Sequence, residues 1–230
     1  MALIELRNVE KIYDAGTVPV HALKGVSLRV EPGEFTVVVG PSGSGKTTLL
    51  NLIGGLDRPT SGTVELDGTD LAALGRGDLV EFRLHHIGFV FQAYNLIPVL
   101  TAEENVEFVM LLQGKPKAAR RKTARDLLNA VGLEEKMTNR VSELSGGQQQ
   151  RVAVARALAS GPSYVLADEP TANLDTDAAG TLLDIMGGLN SGRKTTFVFS
   201  THDPRVVERA RRIIRLVDGR VSDDTLRPPA

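Results

Sequence analysis

The chain has 230 residues, 42% of them hydrophobic and 24% charged, with a formal net charge of -1 and no cysteine. That is enough chain to bury one sizeable core, and no bulk positive field draws it to nucleic acid or anionic lipid. Disulfides, thiolate catalysis and cysteine-bound zinc are excluded, and no apolar run approaches the roughly 20 residues that span a bilayer.

The chain opens into strand-like alternation at Leu3, Ile4 and Glu5, with no basic segment ahead of an apolar one. This predicts a cytoplasmic protein that does not insert into a membrane itself. Residues 4–9 and 26–30 read as strands, joined across a Gly/Pro-containing segment at 14–19. Phe35-Thr36-Val37-Val38-Val39 is an uninterrupted run rich in β-branched residues, the pattern of a buried parallel strand. Gly40-Pro41-Ser42-Gly43-Ser44-Gly45-Lys46-Thr47-Thr48 follows, and Leu49, Leu50, Leu52 and Ile53 read as the helix after it. The spacing is G-x-x-x-x-G-K-[ST], a phosphate-binding loop. Its glycines let backbone N–H groups converge on phosphate oxygens, and the helix N-terminus adds partial positive charge. In this pattern Lys46 reaches the β- and γ-phosphates and Thr47 holds Mg²⁺, which implies a nucleoside triphosphate site.

Residues 58–62 are a turn, 63–66 a strand closed by Asp67-Gly68, and 78–85 a short helix. A strand over 87–91 ends at Gln92. The pattern then changes to helices. Thr101 with Glu104 makes a capping box ahead of Val106, Phe108, Val109 and Leu112. Further helices span 117–131, stopped by Gly132, and 145–159, stopped by Gly161-Pro162. The basic run Lys115, Lys117, Arg120, Arg121, Lys122 and Arg125 reads as a solvated helix face, with an anionic membrane surface as the alternative. Strands return at 164–167, 196–199 and 213–217, with helices near 181–189 and after Asp203-Pro204. Alternating β and α predicts an α/β fold on a largely parallel sheet. It forms a single domain over 1–230, with a core of 1–92 and 160–225, a helical insertion at about 93–159 and a tail at 226–230.

Two further runs carry chemistry. Tyr164-Val165-Leu166-Ala167-Asp168-Glu169 is an apolar strand ending in paired carboxylates. Asp168 suits the Mg²⁺ shell, and Glu169, one residue beyond, suits a base for an attacking water. Such a base contributes about 10²–10⁴-fold in rate. In Leu144-Ser145-Gly146-Gly147-Gln148-Gln149-Gln150-Arg151, Ser145 is a helix N-cap and the glycines allow close backbone approach. The positive end of that helix aims outward.

This last run, placed before the Asp168-Glu169 strand, resembles the signature sequence of ATP-binding-cassette (ABC) ATPases. The resemblance covers residues 3 to about 221. It implies a RecA-like P-loop NTPase core with an antiparallel β subdomain and a helical subdomain, using ATP and Mg²⁺. It implies a head-to-tail homodimer in which Ser145, Gly146, Gly147 and Gln148 of one copy cover the nucleotide held by residues 40–48 of the other. By the same resemblance Gln92 is the Q-loop residue that touches Mg²⁺ and water, and His202 is the switch histidine at the γ-phosphate. Asp175, in Ala172-Asn173-Leu174-Asp175, belongs to the D-loop, where Ala172 stands at a position more often glycine. Tyr13 matches the aromatic that stacks on adenine, or is half-buried packing.

Pro19-Val20-His21-Ala22-Leu23-Lys24-Gly25-Val26-Ser27, Asn51-Leu52-Ile53-Gly54-Gly55-Leu56-Asp57 and His86-Ile87-Gly88-Phe89-Val90-Phe91-Gln92 narrow the resemblance. With Asn95-Leu96-Ile97-Pro98 and Leu166-Ala167-Asp168-Glu169-Pro170-Thr171, they are similar to the lipoprotein-releasing and macrolide-export branch. That implies an integral-membrane permease partner, which chooses the substrate, and a peripheral position on the inner face of the membrane. Leu96, Ile97 and Pro98 are the expected exposed apolar contact. A cell-division relative that signals without transport stays open as an alternative. A soluble ABC-type ATPase acting on DNA or ribosomes is disfavoured by the single cassette, the absence of a heptad array and the -1 charge.

Overall fold

The computed structural model describes residues 2–14, 16 and 18–227. Residues 15 and 17 of the first connection, and Pro228, Pro229 and Ala230 of the expected tail, lie outside the described residues. The chain runs β1 (Ile4–Tyr13), β2 (Val20–Val30), β3 (Phe35–Val39), α1 (Lys46–Ile53), β4 (Ser61–Leu66), β5 (Thr69–Asp70), α2 (Arg76–His86) and β6 (Ile87–Val90). Three helices follow: α3 (Ala102–Leu112), α4 (Lys117–Ala130) and α5 (Gly146–Ala159). The chain then returns through β7 (Tyr164–Asp168), α6 (Thr176–Arg193), β8 (Thr196–Ser200), α7 (Pro204–Arg209), β9 (Arg212–Val217) and β10 (Arg220–Leu226).

Two sheets organise these elements. One has the order β10-β9-β3-β8-β7-β6, parallel throughout except for the antiparallel β10 edge. The other is antiparallel, in the order β2-β1-β4-β5. In the larger sheet, strands β3, β6, β7 and β8 are buried on both faces, which is why they read as continuous apolar runs. In β3, Phe35, Val37 and Val39 join the core formed with α3, α5 and α6. Val38 turns the other way, into the core shared with α1 and the antiparallel sheet. Strand β8 repeats the division, with Phe197 and Phe199 on one side and Val198 on the other.

Strands β1, β2 and β10 depart most from the sequence expectation, β1 running on to Tyr13 rather than ending at 9. Strand β2 starts at Val20 rather than 26, because pairing of Ile12 with His21 and Tyr13 with Val20 carries polar residues into the ladder. Strand β10 has no apolar alternation to betray it. It is held by pairing to β9 and by Arg212, which donates to Asp224 at 2.8 and 2.7 Å. The tail expectation is corrected at two residues: Leu226 closes β10, and the Arg227 N–H donates to Arg211 O at 2.7 Å.

In the helical segment the capping box forms as expected. Thr101 Oγ1 accepts from the Glu104 N–H, and Glu104 Oε2 accepts from the Thr101 N–H. The basic run is not simply a solvated face. Arg121 and Arg125 pair with Glu103 of α3 at 2.9 and 3.1 Å, and Arg120 lies 3.5 Å from Glu107. Arg121 and Arg125 stay exposed, as a solvated face requires, while Arg120 is drawn inward by opposite charge on the neighbouring helix, which a single-helix reading does not see.

Leu96 is also corrected. It is 9% exposed and belongs to the core, while Val99 is 75% exposed. The cause is Asn105, fully buried on α3. Its Oδ1 accepts from the Ile97 N–H at 2.8 Å, and its Nδ2 donates to Ile97 O at 3.2 Å and Thr101 O at 2.9 Å. These bonds fold residues 96–101 onto α3 and turn Leu96 inward. Asn105→Ala should leave the Ile97 N–H without its partner and cost about 2–3 kcal/mol of stability, read as a lowered urea midpoint.

Candidate nucleotide site

The phosphate loop leaves the carboxyl end of β3 and enters α1. It is wedged between backbones. A Cβ on Gly40 would lie 2.1 Å from Leu216 O at the end of β9. Gly45 has φ 101, and a Cβ there would lie 2.5 Å from Ala22 O of β2. The Gly219 N–H donates to Ser44 O at 3.1 Å, and the Lys24 N–H donates to Gly219 O at 2.8 Å. Helix α1 has no side-chain cap, so its first-turn N–H groups are available to an anion. Lys46 Nζ donates to Gly40 O at 2.8 Å and Pro41 O at 3.1 Å, which holds the ammonium across the loop.

Most of the residues singled out in the sequence meet in one cleft of about 750 Å³. Tyr13, Gly40, Pro41, Ser42, Gly43, Gly45, Lys46, Thr47, Thr48, Gln92, Glu169 and His202 line it, with Val20, His21, Ala22 and Ala172. Ser44 is buried beneath the loop, and its Oγ has no partner among the described residues. Asp168 sits behind the wall, accepting from Thr47 Oγ1 at 3.3 Å. These two oxygens suit a hard divalent cation that takes its other ligands from phosphate and water. At the far end Tyr13 Oη donates to Asp57 at 2.9 Å, and Lys11 Nζ lies 4.9 Å from the ring centroid. Burial raises the Tyr13 hydroxyl above its ordinary pKa.

Glu169 follows β7 with φ 46, a left-handed conformation that costs a non-glycine residue about 1–2 kcal/mol. Its N–H donates to Ser200 O of β8 at 2.8 Å, which holds the turn. Both carboxylate oxygens are engaged. Oε2 accepts from Thr201 Oγ1 at 3.0 Å, and Oε1 lies 2.9 Å from His202 Nδ1. The Asp203 N–H donates to Thr201 Oγ1 at 3.0 Å. Asp203 in turn accepts from Thr171 Oγ1 at 2.7 Å and takes a two-pronged contact from Arg205 at 2.9 and 2.7 Å. The sequence reading saw Asp203 only as a helix cap. Its Thr171 and Thr201 partners are 32 and two residues away, so the cap was the one role with a local signal.

Besides Ser44 and Asp168, five named residues lie outside the cleft. Ser145 caps α5, with its Oγ accepting from the Gln148 N–H at 3.3 Å and Gln148 Oε1 accepting from the Ser145 N–H at 2.9 Å. A Cβ on Gly146 would lie 2.9 Å from Tyr94 Oη, and one on Gly147 2.9 Å from Ala178 Cβ. Asp175 caps α6 through the Ala178 N–H at 2.8 Å. Gln92 is exposed, and its carbonyl accepts from Asn173 Nδ2 at 2.9 Å. Beyond it Tyr94 and Asn95 both have φ 51, and Arg156 of α5 donates to their carbonyls at 2.8 and 2.5 Å.

The family described as ABC transporter matches residues 23–172. The chain is 50% identical over 222 residues to the lipoprotein-releasing system ATP-binding protein LolD of Anaeromyxobacter dehalogenans, covering 96% of this chain and 93% of that protein. It is 44% identical to the macrolide export ATP-binding/permease protein MacB of Marinobacter nauticus, where 97% of this chain spans 34% of the longer protein. Among solved structures, a dimeric post-hydrolysis ATP-binding cassette bound to ADP and Pi matches with a TM-score of 0.90 at 42% identity. That match covers 99% of this chain and 100% of the other.

The Arg205 contact holds the Asp203 carboxyl at a pKa of about 2, against an ordinary 3.8. A depressed carboxylate stabilises the fold above its unfolded pKa and loses that contribution as pH falls through the folded value. Stability from this group should therefore be constant above about pH 4 and decline between about 4 and 2. Urea midpoints measured across this range should fall more steeply for the natural chain than for Asp203→Asn.

Proposed function

The chain belongs to the ABC transporter family and is an ATPase of it, and from that premise we propose a division of labour among its residues. Residues 40–48 cradle the ATP phosphates, with Lys46 turning from Gly40 O and Pro41 O to the β- and γ-phosphates. Tyr13 stacks on the adenine, steadied by Asp57 and Lys11. Thr47 and Gln92 would hold Mg²⁺, with Asp168 reaching it through water, and the ion would neutralise phosphate charge when bound. Glu169 accepts the proton of the attacking water. His202 leaves Glu169 Oε1 to donate to the γ-phosphate, which frees the carboxylate at the moment it is needed.

One observation carries the reading further. The cleft holds the phosphate loop and the carboxylates, yet the signature residues face elsewhere on the same chain. Ser145, Gly146, Gly147 and Gln148 therefore serve the nucleotide of a second copy, with Asp175 beside them at the interface. Such an arrangement is a self-complementary two-fold dimer closed by ATP. Gln148 is suited to this, because its carbonyl oxygen is spent on Ser145 and its amide nitrogen has no partner among the described residues. The names of the LolD and MacB relatives support a transporter of the lipoprotein-release or macrolide-export type. Residues 93–159 then act as a signature subdomain carried on a core of 1–92 and 160–225. Among the described residues no helix is long and apolar enough to cross a membrane. Attachment to the inner membrane face through a permease is supported by the names of the same relatives. With Leu96 buried, its contact on this chain is Ile97, Pro98 and the exposed Val99.

Glu169→Gln should bind ATP normally, lose turnover by about 10²–10⁴-fold and accumulate an ATP-dependent dimer on size-exclusion chromatography. Normal hydrolysis by that variant would remove Glu169 from the role of base. Ser145→Arg should bind ATP as a monomer and show no ATP-dependent dimer. Dimerisation at the natural chain's level would overturn the shared site.

A further inference from the structure

Strands β6 and β7 are adjacent and parallel, and their ladder ends at the pair Val90 and Ala167. Past that point the chain makes two separate turns, one carrying Gln92 and the other Glu169. Gln150, on the second turn of the signature-bearing helix α5, lies between them. It is fully buried. Its Nε2 donates to Pro170 O at 2.8 Å, directly after Glu169, and to Phe91 O at 3.4 Å, directly before Gln92. An amide nitrogen has two hydrogens, and both are used. The reverse orientation would set the amide oxygen against two carbonyls.

We propose that Gln150 is a positioning residue that holds the Gln92 turn and the Glu169 turn in register from the signature helix. This rests on the roles given above to Gln92 and Glu169. Packing alone does not call for a glutamine here. Its Oε1 is buried and has no partner among the described residues, a cost that an apolar side chain of the same length would not carry. What the amide adds is a link where the β6–β7 ladder has none. The link also has a direction. Gln150 is two residues from Gln148 on one rigid helix, so movement of the signature residues against a second copy's nucleotide reaches both turns through this side chain.

Gln150→Met keeps the length and the burial and removes both donors. Steady-state ATP hydrolysis, calorimetric ATP binding and thermal melting of the purified chain read the outcome. The expected result is a kcat lowered about ten-fold with KM and ATP affinity within about two-fold of the natural chain. In a Gln92→Ala background the same change should cost clearly less than about ten-fold, because of the two turns it positions only the Glu169 turn still carries its side chain. An unchanged kcat, or an affinity that falls in step with kcat, overturns the inference. So does a loss that multiplies fully with that of an impaired Gln92→Ala. If Gln92→Ala alone keeps the natural kcat, the role of Gln92 fails separately. The Gln150→Met loss then reads on Glu169 through Pro170, and the split between kcat and affinity decides. Should Gln150→Met not fold, the shorter Gln150→Leu carries the same comparison.

Discussion

Backbone packed directly against backbone around the phosphate loop is the constraint on which the rest of the structure depends. Gly40 has Leu216 O where a Cβ would be, and Gly45 has Ala22 O. Leu216 belongs to the parallel sheet and Ala22 to the antiparallel one. The loop is thus the joint between two sheets, locked further by Gly219 bonding to Ser44 and Lys24. Amides held this way cannot shift without moving both sheets. They form a preorganised array of dipoles, of the kind that stabilises developing negative charge without reorganisation.

From that joint the rest follows by topology. Strands β3, β6, β7 and β8 run parallel, so their carboxyl ends open on one edge. Open α/β sheets place ligands at that edge. Gly40, Gln92, Asp168 and His202 are dozens of residues apart in the chain, and each follows or ends one of these strands. The left-handed turn at Glu169 is affordable because β8 and its following loop hold it at three points: Ser200 O, Thr201 Oγ1 and His202 Nδ1. The Arg205–Asp203–Thr201 chain stands behind those contacts. This is a polar network in which nearly every member has a partner, the condition under which such networks rigidify a site.

Legibility in the sequence tracked the range of the interaction. The capping box at Thr101 and the N-cap at Ser145 involve residues three apart, and both were readable, though the second half of the box at Ser145 was not read. The β3 run was readable because burial on two faces leaves a continuous apolar stretch. Leu96 was misread because its burial is imposed by Asn105, on a different element. Arg121 and Arg125 were read correctly as exposed, but their pairing with Glu103 was not legible because Glu103 lies on the previous helix. Strand β10 was missed because an exposed edge strand carries no periodic signal. Gln150 was legible as part of the signature run, but its bonds at separations of 20 and 59 residues were not.

By itself the sequence determined the chemistry on offer: a glycine-rich loop with Lys46 and Thr47, two carboxylates after an apolar strand, and a capped helix start at Ser145. Each is a short run whose function depends on local backbone geometry, so adjacent residues suffice to specify it. Only the tertiary structure decided which of these share a space. Strand order brought the loop, Gln92, Glu169 and His202 to one cleft and left Ser145–Gln148 facing away from it. That separation arises from the packing of α5 against β6 and α3, which is a property of side chains on three elements and of no single stretch.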